Sequence, residues 1–446
     1  MKPIIPTEDE LDEAIRQHRT ASVTLTLSHD GSPVANQEVV IEQKNHQFLF
    51  GTNWGHRSVP GDDVGYRNIA EKNARGLVNW DHSSVALAND ELSDEEKELA
   101  ERHHTQFIAL FNQVTLPFYW AGFEPVRGKP QTERLRRAAR WFKDQGCLVK
   151  GHPLCWQTVT ADWLLPMTNA EILEAQLGRI QREVSDFSGV IDMWDVINEA
   201  VIMPVYQQYD NGITRICQEL GRIELIRRLF ETARAANPKS TLLINDFDVS
   251  SAYDILVEGC LAAGIQFDVI GIQSHMHKGY WGVEKTLNVL KRFERFNLPI
   301  HFSENSFLSG HLVPREFGDL QDYQVDEWPS TPEGEARQLE QVVTHYKTLF
   351  AHPAVESITW WDMSDGAWLN APAGLLRRDQ SPKPAYEALL RLVKGEWWLS
   401  PTSMTTDEHG QLVWTGFLGD YDLRLGNEVT TFSLTAPGEA TIFVQK

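Results

Sequence analysis

Two glutamates, Glu199 and Glu304, each stand within two residues of the end of a short apolar run, 193–197 and 299–303. Such runs are typical of buried strands, and in a parallel barrel the carboxyl ends of the strands meet at one mouth. A pair of carboxylic acids placed there can cleave a glycosidic bond. One acid protonates the leaving oxygen while the other attacks the anomeric carbon or activates water.

Polar and aromatic side chains follow other apolar runs in the same way. They are His152, Trp156, Asn198, Asn245, Asp246, Gln273, His275, Trp361 and Asp362. Amides and imidazoles hydrogen-bond sugar hydroxyls, and indoles stack on pyranose rings. A single acid at a strand end is common by chance, whereas two glutamates surrounded by amides, imidazoles and indoles are much less so.

Each of these residues also has a purely structural interpretation. Glu199 alone could cap the helix that follows it, and Glu304 alone could be half of a buried ion pair. His275 and His277 suggest a metal site, but no third ligand is obvious, so we expect no metal and no cofactor. Adjacent strand residues face opposite ways, so only one indole of Trp360-Trp361 can face the mouth.

The middle of the chain supplies the elements that must position these side chains. Short apolar runs alternate there with helical patterns, which indicates βα units and a parallel sheet. The eight runs are 48–51, 111–115, 148–152, 193–197, 241–244, 267–272, 299–303 and 357–361. Capping-box spacing from Thr168 to Glu171, and Pro332 after Thr331, mark two helix starts. The predicted fold is therefore of the α/β class, a (β/α)8 TIM barrel.

The two ends of the chain are rich in β-strand patterns. Residues 7–19 predict a capped helix, and residues 22–27 and 39–41, on either side of the Asp30-Gly31 turn, predict a strand pair. Four further short strands are predicted between residues 412 and 444. We expect both ends to pack together as a small β-rich module, with boundaries 1–45, 46–395 for the barrel, and 396–446.

Composition limits the partners of the chain. Its net charge of −21 repels nucleic acid and anionic membranes, so we expect neither as a partner. It has no signal segment and no run long enough to span a membrane, which indicates a cytoplasmic protein or a secreted one whose leader was removed. The four scattered cysteines predict free thiols. The oligomeric state stays open.

At these residues the sequence resembles glycoside hydrolase family 10, whose best-known members are endo-β-1,4-xylanases, from about residue 48 to about residue 392. The matching motifs are 151–156 (Gly-His-Pro-Leu-Cys-Trp), 161–164 (Ala-Asp-Trp-Leu), 194–200 (Trp-Asp-Val-Ile-Asn-Glu-Ala), 244–246 (Ile-Asn-Asp), 271–275 (Gly-Ile-Gln-Ser-His), 303–304 (Ser-Glu) and 382–386 (Pro-Lys-Pro-Ala-Tyr). The resemblance implies that Glu199 is the acid/base and Glu304 the nucleophile. It implies a sugar-binding cleft lined by His152, Trp156, Asn198, Gln273, His275, Trp361 and Trp368. Asn198 would hold the 2-hydroxyl beside the cleaved bond, and His275 would hydrogen-bond the nucleophile.

Three departures from the family pattern bear on the substrate. After the second barrel strand, residues 115–120 (Thr-Leu-Pro-Phe-Tyr-Trp) lack the Glu, Asn and Lys that bind the glycone side in the family. Gln157 follows Trp156 where the family has His. Asn305 and Ser306 follow the nucleophile where the family often has Leu-Asp, so the Asp that would support His275 is missing.

The expected activity is retaining hydrolysis of β-glycosidic bonds in xylan or a related plant-type β-glycan, with an oligo- or polysaccharide substrate. A second interpretation is a β-glycosidase of altered glycone specificity that acts on short or decorated oligosaccharides. A third is a non-catalytic carbohydrate-binding barrel. The presence of both Glu199 and Glu304, with Asn198 beside the first, argues against the third.

Overall fold

The computed structural model of the chain describes residues 5–54 and 94–445. The strands are β1 (Thr20–His29), β2 (Ser32–Pro33), β3 (Glu38–His46), β4 (Leu49–Asn53), β5 (Gln113–Pro117), β6 (Leu148–His152), β7 (Met193–Asn198), β8 (Thr241–Asp246), β9 (Val269–His275), β10 (Ile300–Ser306), β11 (Val355–Trp360), β12 (Thr402–Thr405), β13 (Gln411–Phe417), β14 (Gly419–Leu425), β15 (Glu428–Leu434) and β16 (Gly438–Gln445). The α-helices are α1 (Glu8–Arg19), α2 (Asp94–Leu110), α3 (Trp120–Phe123), α4 (Thr132–Asp144), α5 (Asn169–Asp186), α6 (Gly212–Leu220), α7 (Arg222–Ala236), α8 (Ser251–Ala262), α9 (Gly282–Phe293), α10 (Pro332–Ala351) and α11 (Pro384–Arg391).

Strands β4 to β11 close into one barrel in which every neighbouring pair is parallel. Each of the eight predicted apolar runs overlaps one of these strands, so the predicted (β/α)8 barrel is confirmed. Every residue of β7 and of β10 is buried. Strands packed on both faces read as continuous apolar runs rather than as alternating ones, which is why the sequence pattern was clear.

Helix starts follow the predicted capping signals. The Thr168 hydroxyl accepts the backbone N–H of Glu171, whose carboxylate accepts the backbone N–H of Thr168 in return. Helix α10 begins at Pro332 after the cap Thr331, and α1 follows a capping box at Thr7. These caps satisfy backbone donors that would otherwise lack partners in the first helical turn.

The terminal strands form two sheets, each of which mixes strands from both chain ends. One has the order β13-β1-β16, with β2 also paired to β1, and the other has the order β12-β3-β14-β15. The predicted pairing of 22–27 with 39–41 is therefore wrong, because β1 and β3 lie in different sheets. Between them Asn36 adopts φ 53° and donates its N–H to the Thr406 carbonyl, which directs the chain into the second sheet.

The two sheets share one buried apolar cluster, to which Val23 and Leu25 of β1 contribute from one sheet and Ile41 of β3 from the other. This cluster is separate from the barrel core. Arg19 joins the two parts, since its guanidinium donates to the carbonyls of Phe350, His352 and Val355 at 2.6–2.7 Å. The boundaries 1–45, 46–395 and 396–446 remain a prediction.

All four cysteines are buried and free. Among the described helices, none combines the length and apolar character that a membrane crossing requires. Across residues 5–54 and 94–445, no three His, Cys, Asp or Glu side chains are grouped so that they could hold a metal ion.

Candidate active site

A cavity of about 870 Å³ opens at the carboxyl ends of the barrel strands. All nine residues named as the candidate site line it, namely His152, Trp156, Asn198, Glu199, Gln273, His275, Glu304, Trp361 and Trp368. Strands β6, β7, β9 and β10 end at or near this cavity, so residues far apart in the sequence meet here because their strands are parallel. We call this cavity the cleft.

Glu199 directly follows β7 in a left-handed backbone conformation, with φ 59°. A non-glycine residue rarely adopts this conformation, and here the Glu199 N–H is held by the Asn245 carbonyl at 2.8 Å. Its Oε1 accepts from Asn198 Nδ2 at 3.3 Å and from Gln273 Nε2 at 3.4 Å, and its Oε2 accepts from Gln157 Nε2 at 3.2 Å. The side chain is half-buried and faces the cleft.

Burial raises the pKa of Glu199 to about 8, and the charges of Asp246 and Glu304 act in the same direction. Asp246 is fully buried beside it, and burial raises the pKa of Asp246 to about 7. Its carboxylate accepts the backbone N–H of Val201 at 2.9 Å. Glu199 therefore keeps its proton near neutral pH, which is the state that a general acid requires.

Glu304 lies within β10 and is 4% exposed. Its Oε2 is 3.0 Å from His275 Nε2, and its Oε1 accepts from Asn245 Nδ2 at 3.1 Å. His152 Nε2 lies 3.9 Å from the same Oε1. Among the described residues no lysine or arginine pairs with Glu304. The structure therefore does not support the interpretation of Glu304 as half of a buried ion pair with Lys or Arg.

One polar network connects the two glutamates. Asn198 Oδ1 accepts from Asn245 Nδ2 at 2.8 Å and from Gln273 Nε2 at 3.0 Å. Asn245 also contacts Glu304, and Gln273 also contacts Glu199. The sequence pattern places Asn245 at a strand end, but the predicted cleft does not include it. Its position one residue before Asp246, at the end of β8, indicates that it lies at the mouth of the barrel.

A buried ion pair between Asp195 and Lys150 orients the His152 ring. Asp195 Oδ2 is 2.7 Å from His152 Nδ1 and 2.9 Å from Lys150 Nζ. Burial alone would raise the pKa of Asp195, but Lys150 and His152 outweigh it and lower the value to about 2. The ionised Asp195 carboxylate therefore accepts a hydrogen bond from the Nδ1–H of His152, and Nε2 of the same ring faces the cleft. Sequence reasoning missed Lys150, although a lysine inside an apolar run was a signal.

His275 has a hydrogen-bond partner although this chain lacks the Asp of the family pattern. Its Nδ1 lies 3.0 Å from the hydroxyl of Ser306, at the end of β10, while Nε2 faces Glu304. The hydroxyl can occupy the supporting position that an Asp would take, but it brings no charge. The missing Asp is therefore replaced by a neutral hydrogen-bond partner.

The aromatic residues divide between cleft and core. Trp361 lines the cleft, 5.3 Å from the His152 ring, whereas Trp360 packs against Phe307 in the core. Trp368 lies 4.5 Å from the His275 ring. As the sequence predicted, only one of the two adjacent indoles faces the mouth.

The apolar segment that ends β5 and continues beyond it also divides in two. Leu116 and Phe118 are fully buried, and Phe118 packs 4.9 Å from the Trp194 ring. Pro117 and Tyr119 instead line a small recess together with His152. Of the four residues 116–119, Pro117 and Tyr119 are therefore the two placed to replace the polar groups that the family has in this region.

The family model described as "Glycosyl hydrolase family 10" matches residues 80–392. The curated Endo-1,4-beta-xylanase C of Paenibacillus barcinonensis is 26% identical over 398 residues, which cover 77% of this chain and 35% of that protein. Endo-1,4-beta-xylanase B of Thermotoga neapolitana is 26% identical over 362 residues, which cover 76% of this chain and 94% of that protein. The chain spans 35% to 43% of the length of the first three curated relatives.

Solved structures show the same fold. Native xylanase 10B from Thermotoga maritima superposes with a TM-score of 0.57 at 20% identity, covering 78% of this chain and 96% of that one. Xylanase 10B from Thermotoga petrophila RKU-1, solved in complex with xylobiose, gives a TM-score of 0.58 at 20% identity, covering 78% and 95%. At this identity the likeness concerns the barrel and not the substrate.

Proposed function

Because the chain belongs to glycosyl hydrolase family 10, we propose that it is a retaining hydrolase that cleaves β-glycosidic bonds in xylan or a related plant-type β-glycan. The observation that supports this most is the pair of glutamates at two strand ends, joined through Asn198 and Asn245. One of the pair has a raised pKa. Two carboxyls in different protonation states are what a double displacement requires.

In the proposed first step, Glu304 attacks the anomeric carbon while Glu199 gives its proton to the leaving oxygen. The glycosidic bond breaks and a covalent glycosyl ester forms on Glu304. In the second step Glu199, now ionised, takes a proton from water, and the water oxygen attacks the anomeric carbon of the glycosyl ester. Glu304 leaves as a carboxylate, Glu199 is again protonated, and the sugar keeps its anomeric configuration.

The neighbouring side chains hold the substrate and the nucleophile in place. Asn198 would donate to the sugar 2-hydroxyl, because it lies between the two acids and its Oδ1 is already occupied by two amides. His275 and Asn245 would keep the Glu304 carboxylate aligned for attack. Trp361 and Trp368 offer ring faces on which a sugar can stack.

A hydrolysis assay with anomer analysis tests this proposal. Reducing sugar released from a panel of β-glycans, with Glu304→Ala as the control, separates hydrolysis from mere binding. NMR of the first product should show the β-anomer, and the two carboxyls should lie roughly 5–5.5 Å apart. An inverted product, or a separation near 9 Å, argues for a single displacement by water. Binding without any hydrolysis would favour the carbohydrate-binding barrel.

The pH profile should have its alkaline limb near pH 8. The raised pKa means that Glu199 stays protonated up to about pH 8 and loses its proton above it. We therefore expect kcat/KM to fall about tenfold per pH unit above that point. Asp246→Asn removes a negative charge that raises this pKa, so it should move the limb to lower pH. A rate that still rises above pH 9, or a limb unmoved by Asp246→Asn, contradicts the assignment.

Ser306→Ala should lower kcat about three- to tenfold, because the His275 ring loses the partner that orients it toward Glu304. KM should stay nearly constant, since Ser306 itself does not line the cleft. Ser306→Thr keeps a hydroxyl and should restore part of the rate. Ser400→Ala, an exposed site in the terminal module, is the matched control. An unchanged kcat in Ser306→Ala would remove any positioning role for this hydroxyl.

A second candidate is a β-glycosidase whose glycone side differs from the family pattern. Pro117 and Tyr119 stand where polar groups would hold glycone hydroxyls. Losing a buried polar partner costs about 1–3 kcal/mol, and stacking on Tyr119 returns part of it with another shape preference. We expect weak activity on linear xylan relative to a substrate with another sugar, linkage or decoration on that side. Specificity constants measured in parallel decide this, and a best substrate of unbranched xylohexaose contradicts it.

A further inference from the structure

The cleft continues into a second depression on the side of the barrel. Val249 and Lys285 line both cavities, so the two are joined at these residues. The second depression has a volume of about 730 Å³ and lies between helices α8 and α9. Its other lining residues are Asp254, Asn288, Val289, Lys291, Arg292 and Arg295. We call it the side groove.

Helix α9 gives the side groove its length. Lys285, Asn288 and Arg292 are three and four residues apart, which places them on one face of the helix. Arg295 follows in the turn after α9. From Lys285 to Arg295 the rise of a helix corresponds to about 15 Å, enough for several sugar units. The groove is thus an elongated extension of the cleft.

Positive side chains are concentrated along this path in a chain whose net charge is −21. Lys278 and Arg315 line the cleft, and Lys285 lies where the cleft meets the side groove. Lys291 and Arg292 line the groove itself. The acids on the same path are the two glutamates of the site, Asp319 and Asp254.

These charges are largely uncompensated. Arg295 pairs with Glu258 at 2.9 Å and with Asp254 at 3.8 Å. Within residues 5–54 and 94–445, none of the other five cations forms an ion pair with an acid. Lys278 donates to the Gly318 carbonyl, Arg292 to the Val249 carbonyl, and Lys285 lies over the Trp281 ring at 4.4 Å. Burial and the neighbouring Arg292 lower the pKa of Lys285, as expected for cations crowded together.

Aromatic surface accompanies the charges. Trp281 and Phe247 line the cleft beside Lys285 and Val249, and Phe247 is 46% exposed. An exposed ring beside a cation offers a face for a sugar and a partner for an acid at the same place. A neutral glycan would use only the rings, and a free anion would use only the cations.

We propose that the side groove binds the carboxylates of uronic-acid substituents on a glycan whose main chain lies in the cleft. The inference rests on the proposed function, because the glycan backbone must lie in the cleft. Binding of the carboxylates in the side groove does not depend on catalysis. Lys285 and Lys291 supply the charges for the carboxylates, with Arg292 directly after Lys291 on α9. Trp281 and Phe247 support the sugar rings at the entrance to the groove.

Binding to the Glu304→Ala chain tests this without turnover. The probes are a linear xylo-oligosaccharide and the same oligosaccharide with one glucuronic acid branch, each titrated by calorimetry. We expect tighter binding of the acidic probe at 50 mM salt, and loss of most of that preference at 0.5 M salt through screening. Lys285→Gln/Lys291→Gln should reduce the preference about three- to tenfold. Lys239→Gln, which changes an exposed lysine at the opposite end of the barrel, should leave it intact.

The outcomes separate this inference from the proposed function. If the wild-type chain hydrolyses no glycan but the Glu304→Ala chain still prefers the acidic probe through Lys285 and Lys291, the groove stands and the hydrolase does not. If xylan is hydrolysed but the two probes bind equally, or the double variant keeps the preference, the groove proposal is wrong. An equal loss of affinity for both probes also overturns it, because the groove would then hold main-chain sugars.

Discussion

Glu304→Ala should lower kcat by roughly 10³- to 10⁶-fold on every glycan that the wild type cleaves. Without the carboxylate no glycosyl ester can form, and the leaving-group chemistry of the substrate cannot compensate for this. The surrounding donors, His275 and Asn245, would remain in place, so substrate affinity should change far less than the rate. Hydrolysis rates on xylan and on aryl glycosides, together with binding of a xylo-oligosaccharide, measure the two effects separately.

Glu304→Gln is the matched control for this prediction. The amide keeps the size of the side chain but cannot act as a nucleophile, so the loss of rate should be equally severe. A thermal unfolding curve close to that of the wild type shows that the barrel is intact. If either variant kept more than a few per cent of the wild-type rate on xylan, Glu304 would not be the nucleophile.

Glu199→Ala should separate substrates according to their leaving groups. Polysaccharide hydrolysis should fall about 10²- to 10⁴-fold, since the sugar oxygen leaves poorly without a proton. An aryl glycoside with an acidic phenol needs little protonation, so its glycosylation step should proceed at close to the wild-type rate. Glu199 is also the general base that deprotonates water in the second step. Its removal should slow that step, so the glycosyl ester on Glu304 should accumulate.

Pre-steady-state kinetics measure this as a burst of phenol followed by slow turnover. Gln157→Ala is the matched control. It removes a side chain that hydrogen-bonds Glu199 but cannot act as a general acid or base, so this variant should show no burst. Equal losses on aryl glycoside and polysaccharide, with no burst, would argue against Glu199 as the acid/base.

The barrel could be predicted from the sequence because its strands are buried on both faces and its helices have caps. The run 193–197 and the Thr168 capping box are complete within a few residues, and no distant contact is needed to recognise them. The cleft residues were predictable for the same reason. In a parallel barrel, a residue at or just after the carboxyl end of a strand must lie at the mouth, so Glu199 and Glu304 could be placed together without knowing any other contact.

The rest depended on partners from distant parts of the chain. His103 of α2 is 4% exposed and its Nδ1 lies 2.9 Å from Gln380 Oε1, a contact between residues 277 positions apart that no local pattern indicates. Ser306 of β10 hydrogen-bonds His275 of the neighbouring strand β9. The motif, in which the expected Asp is missing, does not predict this contact. The predicted strand pair is wrong because the hairpin at Asp30-Gly31 joins β1 only to the short strand β2, whereas β1 has longer partners in β13 and β16.

The interleaving of both chain ends has a consequence for synthesis on the ribosome. Ala21 of β1 pairs with Gly438 of β16, and Ile41 of β3 pairs with Thr402 of β12. Translation produces β1 and β3 long before β12, β13, β14 and β16. Most backbone N–H and C=O groups of both strands therefore lack strand partners until the barrel has been synthesised. Exposed strand edges invite pairing between neighbouring nascent chains. The period of greatest aggregation risk for these strands should therefore last until β16 leaves the exit tunnel.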